Sequence, residues 1–206
     1  MKPIEKSVAL ELLGEDLDLI HNCVRLGWGD FQEDFTPAQR MKFCPRTRAN
    51  MVNDLIIERA KSAFDGHIRA EFFEINQMWV AAFQSGIAVR FKKLDEGFSA
   101  RNIPTQQALN FVRQGALPGI GEGVNLNAGY RLDAFATKLE GIYLTCPRGK
   151  KSNHWWHELG KDAGEGDGFS HQLPFAPDSG APATPAEKPY KIVRRGGEEK
   201  DAADQQ

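Results

Sequence analysis

Residues 154–158, His-Trp-Trp-His-Glu, set two imidazoles three positions apart. On a helix such a pair can share a metal ion, but on a strand His154 and His157 point to opposite faces. The run matches neither HExxH nor HxxEH, the spacings of zinc-peptidase helices. It is therefore assigned to a strand that packs one tryptophan inward, and no metal ligand is named. A second constellation is acidic. Glu71, Glu74, Asp133 and Glu140 fall in or beside strand-like segments, with Lys92 or Lys138 placed to stabilise a phosphate leaving group. Strand-borne carboxylates with a lysine are what metal-dependent phosphodiester cleavage needs. A metal-dependent nuclease using Glu71, Glu74 or Asp133 is thus the alternative function, although no Asp precedes a closely spaced Glu-x-Lys. Nucleophile chemistry has less support, because no Gly-x-Ser-x-Gly elbow occurs and no cysteine sits in a nucleophile context. Gly119-Ile-Gly-Glu-Gly123 follows Pro118 rather than a strand, so it is a connection and not a dinucleotide loop.

The third set is basic, and it is the one assigned a function. In Ile87-Ala-Val-Arg-Phe-Lys-Lys93, Ile87, Val89 and Phe91 share one face of a strand while Arg90 and Lys92 share the other. Together with Lys93, Arg101, Arg131, Arg148, Lys150 and Lys151 they form a positive sheet surface of phosphate size if the fold gathers them. Tyr130 beside Arg131 would add stacking. An ordinary lysine-bearing edge strand that resists aggregation is the competing explanation. Net charge over the chain is −2, which by itself points to neither nucleic acid nor membrane. The charge is uneven, however: residues 66–161 hold 12 basic against 8 acidic side chains.

These side chains need a scaffold. Residues 4–26 carry apolar positions at helical spacing, and Gly14 divides them. Leu26-Gly-Trp-Gly29 has the composition of a turn. Thr36-Pro-Ala-Gln39 has the capping threonine, first-turn proline and glutamine of a helix start, stopped by Cys44-Pro45. A longer helix is predicted from about Thr47 to Phe64, with Met51, Val52, Leu55, Ile56, Ala60 and Ala63 as its stripe. Asp65-Gly66 ends it. Two or three strands follow between Ile68 and Leu94, with Gln84-Ser85-Gly86 as a turn. Pro104 opens another helix that Gly115 caps. Further strands are predicted over 126–135, 139–146 and 154–159, with Leu126, Ala128, Tyr130, Ile142, Leu144 and Cys146 inward.

Helices, strands, helix, strands is the order of an α+β fold: a largely antiparallel sheet of five to six strands packed against helices. The expected organisation is one domain over 1–160, helical to residue 65 and strand-rich from 66, followed by a disordered tail over 161–206. Cys23, Cys44 and Cys146 make no CxxC pair and leave an odd number, as in a reducing compartment. With no secretory core and no spanning apolar run, a cytoplasmic location is expected.

The segments Arg69-Ala-Glu-Phe-Phe-Glu74, Ala88-Val-Arg-Phe-Lys-Lys-Leu-Asp95, Asn127-Ala-Gly-Tyr-Arg-Leu-Asp133 and Ile142-Tyr-Leu-Thr-Cys-Pro-Arg-Gly149 resemble a group of small bacterial proteins. These are encoded in prophages and other mobile elements, often near ImmA/IrrE-type metallopeptidases and phage-type repressors. The resemblance spans roughly residues 45–160, and its motifs are tied to no known chemistry. It implies a regulatory or partner role and brings no catalytic residues; the HExxH helix of those peptidases is absent here. The expected function is a non-enzymatic binding or regulatory protein of a mobile element. Its partner would be a protein or a nucleic acid, met through the basic sheet surface without cofactor or membrane.

Overall fold

A computed structural model describes residues 3–100, 105–121 and 123–160. The predicted tail over 161–206, Arg101 and the helix start at Pro104 lie outside the described residues. The chain runs through helices α1 (Lys6–Leu13), α2 (Asp16–Asp34), α3 (Pro37–Lys42) and α4 (Pro45–Phe64). Strands β1 (Ala70–Ile75), β2 (Met78–Phe83) and β3 (Ile87–Lys93) come next, then α5 (Gln106–Val112), β4 (Val124–Leu132), β5 (Leu139–Pro147) and β6 (Asn153–Leu159). This is the α+β fold expected from the element order.

Local signals place most boundaries. Gly14, at φ +48°, separates α1 from α2. Thr36 and Gln39 close a reciprocal capping box at the start of α3. The strand pair β1–β2 turns through Asn76 and Gln77, both at positive φ as a two-residue type I′ hairpin requires. At the end of α5 it is Gln114, at φ +59°, that takes the left-handed position expected of a cap. Gly115 follows it and donates its N–H to the Asn110 carbonyl.

One prediction fails outright. Leu26-Gly-Trp-Gly29 is not a turn: α2 continues through it to Asp34. A Cβ on Gly27 would lie 2.7–2.8 Å from the backbone nitrogen, Cα and Cγ1 of Ile56. The glycine marks the point where α2 crosses α4, so close that no side chain fits between them. The proline at 45 likewise opens α4 two residues before the predicted start, because its missing N–H costs nothing at a first helical position.

The six strands form one sheet in the order β1-β2-β3-β4-β5-β6, and only β3 and β4 are parallel neighbours. A parallel pair needs a crossover, and α5 lies within the segment that makes it. The helices α2 and α4 cover one face, where Ile20, Val24, Phe31, Val52 and Ile56 meet Ile87, Val89, Phe91, Leu126, Tyr130 and Leu144. The other face is closed beside β2 and β3 by α5, where Phe111 and Leu117 pack with Met78, Val80 and Ala88. Ile56, Val89, Phe91, Ile142 and Leu144 are buried as expected, and Leu55 packs partly buried against them.

Coverage of both faces overturns a second expectation. Arg90 and Lys92 do not form an exposed basic face, for Lys92 is half-buried and Arg90 more deeply so. Arg90 is only 9% exposed, and the Asn125 and Asn127 side of β4 is buried as well. Alternation correctly predicted two faces for β3. It did not reveal that a crossover helix sits over the second one.

Candidate anion-binding cleft

The basic residues named from the sequence occupy separate places. Arg90 lies inside, on the α5 side of β3, with its guanidinium 5.4 Å from the centre of the Phe111 ring, whereas Lys92 is half-buried. Burial pulls the Arg90 pKa down to about 10. Lys92 is drawn down to about 8, first by burial and then by Arg90, while Asp54 on α4 opposes the shift. Lys93 points to the opposite face of the sheet, beside Tyr130 and Arg48. Arg131 is engaged twice, 3.0 Å from Glu140 and with its guanidinium 4.8 Å above the Phe98 ring. Phe98 in turn stacks on Trp156 at 4.3 Å. Arg148, Lys150 and Lys151 stay exposed in and beside the β5–β6 turn.

The half-buried lysine has a measurable consequence. Below pH 8 a folded chain holds a charge that its surroundings disfavour; the unfolded chain holds the same charge in water. Between about pH 8 and 10.5 only the unfolded chain keeps that proton, so stability rises with pH through this window. Lys92→Met is expected to raise unfolding free energy at pH 7 by up to roughly 3 kcal/mol and to flatten that rise. Urea unfolding at several pH values measures both. A destabilised variant, or a wild-type curve flat from pH 8 to 10.5, would show that the ammonium is well solvated.

The carboxylates also stay apart. Glu71 and Glu74 lie on opposite faces of β1, an edge strand. Asp133 staples the β4–β5 turn, accepting from the backbone N–H of Thr137 (2.6 Å), that of Lys138 (2.8 Å) and the Thr137 hydroxyl (2.9 Å). Those donors hold its carboxyl below the usual range, the Lys138 N–H first. Glu140 is paired with Arg131. Among the described residues, no three His, Cys, Asp or Glu side chains are grouped to hold a metal ion. The 154–158 run is a strand, with Trp155 donating its indole N–H to the Ile4 carbonyl at 2.8 Å.

One arrangement does gather positive charge. At the end of the sheet where β4 begins and β5 ends, Arg113, Arg148 and His154 line a cleft of about 130 Å³. All three are exposed, and none of the described lining residues is acidic. They come from three segments that the fold fixes in place. Gln114 donates to the carbonyls of Asn125 and Pro147, both at 2.9 Å, and accepts from the Asn125 N–H at 2.8 Å. Asn125 donates in return to the carbonyls of Phe111 and Gly115. This exchange ties the end of α5, which carries Arg113, to β4 and β5. Across the cleft, the turn carrying Arg148 is closed by its N–H to the Ser152 carbonyl at 2.9 Å. The site therefore presents two guanidiniums and an imidazole on a braced frame, with Lys150 and Lys151 in the adjoining turn.

Arg148, Lys150 and Lys151 were legible as a basic turn, whereas Arg113 and His154 were not assigned to this set. Arg113 follows the last residue of a short helix, a common place for a base to meet free carbonyls. Its approach to Arg148 depends on strand pairing far along the chain. No protein-family model matches the chain, and no curated protein or solved structure matches it either. Among the described residues no helix is long and apolar enough to cross a membrane.

Proposed function

We propose that the protein is a non-catalytic, cytoplasmic binding protein that engages an acidic macromolecule, in the regulatory setting its sequence resemblance to mobile-element proteins implies. The observation that carries this reading is the convergence of Arg113, Arg148 and His154 on one cleft whose described lining residues include no acid. Guanidiniums in a concave, braced setting suit the bidentate capture of phosphate or carboxylate oxygens. Phosphate is favoured because Lys150 and Lys151 extend the positive surface beyond the cleft, as a strand of successive phosphates requires. Arg90, buried, and Lys92, half-buried, do not line this cleft.

Fluorescence anisotropy with labelled single- and double-stranded DNA and RNA tests the reading on the full chain. Affinity is expected to fall with salt at a log–log slope of roughly −2 to −4, about −0.9 for each phosphate contacted. The Arg113→Glu/Arg148→Glu double variant is expected to weaken binding about tenfold or more and to flatten that slope, with its thermal midpoint unchanged. Absence of binding at low salt would move the assignment to an acidic protein partner. Cleavage supported by Mg²⁺ or Mn²⁺ and abolished by Glu71→Gln, Glu74→Gln or Asp133→Asn would replace it with the nuclease alternative.

A further inference from the structure

An aromatic stack adjoins the cleft along the edge strand β6. Strand register carries one face of the sheet from Arg90 through Asn127 and Thr145 to Trp156. Beside β2 and β3 this face is closed by α5, whereas at β6 it carries rings. Phe98, from the loop after β3, lies within 12° of parallel to Trp156, with 4.3 Å between ring centres. Tyr143 of β5 meets both rings at steep angles, 4.9 Å from Phe98 and 5.9 Å from Trp156. The loop is braced around Phe98. Asp95 accepts from the N–H groups of Gly97 (3.0 Å) and Ser99 (2.9 Å), and Asn153 of β6 donates to the Phe98 carbonyl at 2.9 Å. Phe98 itself sits at φ +59°, a region that bulky residues rarely adopt. Strain of this kind persists only where the surroundings over-determine it, and it clusters at ligand clamps. Core packing does not account for the outer ring of the stack, because Trp156 stays 46% exposed.

We propose that Trp156 is a stacking platform for an unpaired base of a single-stranded nucleic acid whose phosphates occupy the cleft; this rests on the phosphate-binding reading of that cleft. His154, which lines the cleft, stands two residues before Trp156 on β6, and both are exposed. Two strand residues span roughly 7 Å, within the reach of one nucleotide from phosphate to base. Arg131 lies against Phe98 but is paired with Glu140, so this end of the surface offers a ring and not a second phosphate site. A cationic groove followed by an aromatic face is the combination that sequence-tolerant single-strand binding uses. In a duplex the bases are stacked on one another and leave no face for the indole.

The test titrates the full chain at low salt with a short single-stranded DNA, the RNA of the same sequence, the DNA duplex, and an abasic oligomer of equal length. The abasic strand keeps every phosphate and lacks the bases. At least one intact strand is expected to bind about fivefold or more tighter than the abasic one and to quench tryptophan fluorescence. A preference for DNA or for RNA identifies which strand the platform serves. Trp156→Ala is expected to remove that advantage while leaving the affinities for the duplex and the abasic oligomer unchanged, which also checks that the variant is folded. Trp156→Leu keeps an apolar contact for Phe98 but offers no ring, and it should behave alike. Equal affinities for intact and abasic strands, or an advantage undiminished in both variants, would overturn the platform and leave the cleft standing. Absence of binding by all four ligands would remove the cleft reading and the platform with it. A base-dependent contact that is lost in Trp156→Leu but indifferent to Arg113→Glu/Arg148→Glu would retain the platform and remove the cleft.

Discussion

Replacing Gly27 with valine is expected to cost more stability than any surface change in the protein, about 4 kcal/mol or more. Its missing side chain is where α2 crosses α4, and even a methyl group there would overlap the backbone of Ile56. A flexible side-chain tip could rotate away, but a backbone nitrogen and Cα cannot, so the helices must separate. Overpacking of this kind typically costs 1–3 kcal/mol for a small addition, and valine's two γ carbons go beyond that. In a chain of this size 4 kcal/mol corresponds to a fall in midpoint of roughly 8–16 °C. Gly29, two residues on in the same helix, has nothing within 4 Å of the position a Cβ would take. Gly29→Ala should therefore stabilise by about 0.5–1 kcal/mol, the ordinary penalty of a helical glycine relieved. Thermal unfolding of both variants separates the two effects. Equal midpoints for Gly27→Val and wild type would mean that the crossing is looser than these contacts require.

The same glycines show what could be read from sequence and what could not. Gly14 and the Thr36–Gln39 box act through their own backbone, so they were legible without neighbours. Gly27 and Gly29 look like turn formers by composition, but Gly27 answers to Ile56, 29 positions away. No local rule contains that contact. Alternation along β3 fixed which residues share a face, and Val89 and Phe91 are core as expected. Whether the other face meets water depends on the β3-to-β4 crossover, and so Arg90 and Lys92 were placed outside when Arg90 is buried and Lys92 half-buried. The basic turn at Arg148 was legible because turns display their own residues. The cleft needed Arg113 and His154 as well, and the β4–β5 and β5–β6 pairings that bring these segments together are non-local.

Phe91→Ala is expected to cost roughly 3–5 kcal/mol, and the loss should be unevenly distributed. Phe91 is 3% exposed on the α4 side of β3, edge-on to Phe72 of β1 with ring centres 6.1 Å apart. Phe72 continues the aromatic run by stacking on Phe64 of α4 and on Trp79 of β2. This packing matters more than usual because β2 and β3 share only two register pairs, Ala81 with Val89 and Ala82 with Ala88. The β1–β2 hairpin is thus held to the sheet by few backbone hydrogen bonds and by its aromatic side chains. Removing the Phe91 ring takes away a contact that spans the gap. Amide exchange in the variant should accelerate most across β1 and β2 and least across β4 and β5, where seven and six register pairs respectively hold the parallel and antiparallel ladders. Lys92→Met on the next residue should move stability the other way, since it removes a charge from the face that Phe91 does not share. A Phe91→Ala cost below about 1 kcal/mol would reverse the assignment of faces on β3. Exchange accelerated uniformly over the sheet would show instead that the hairpin unfolds only with the whole domain.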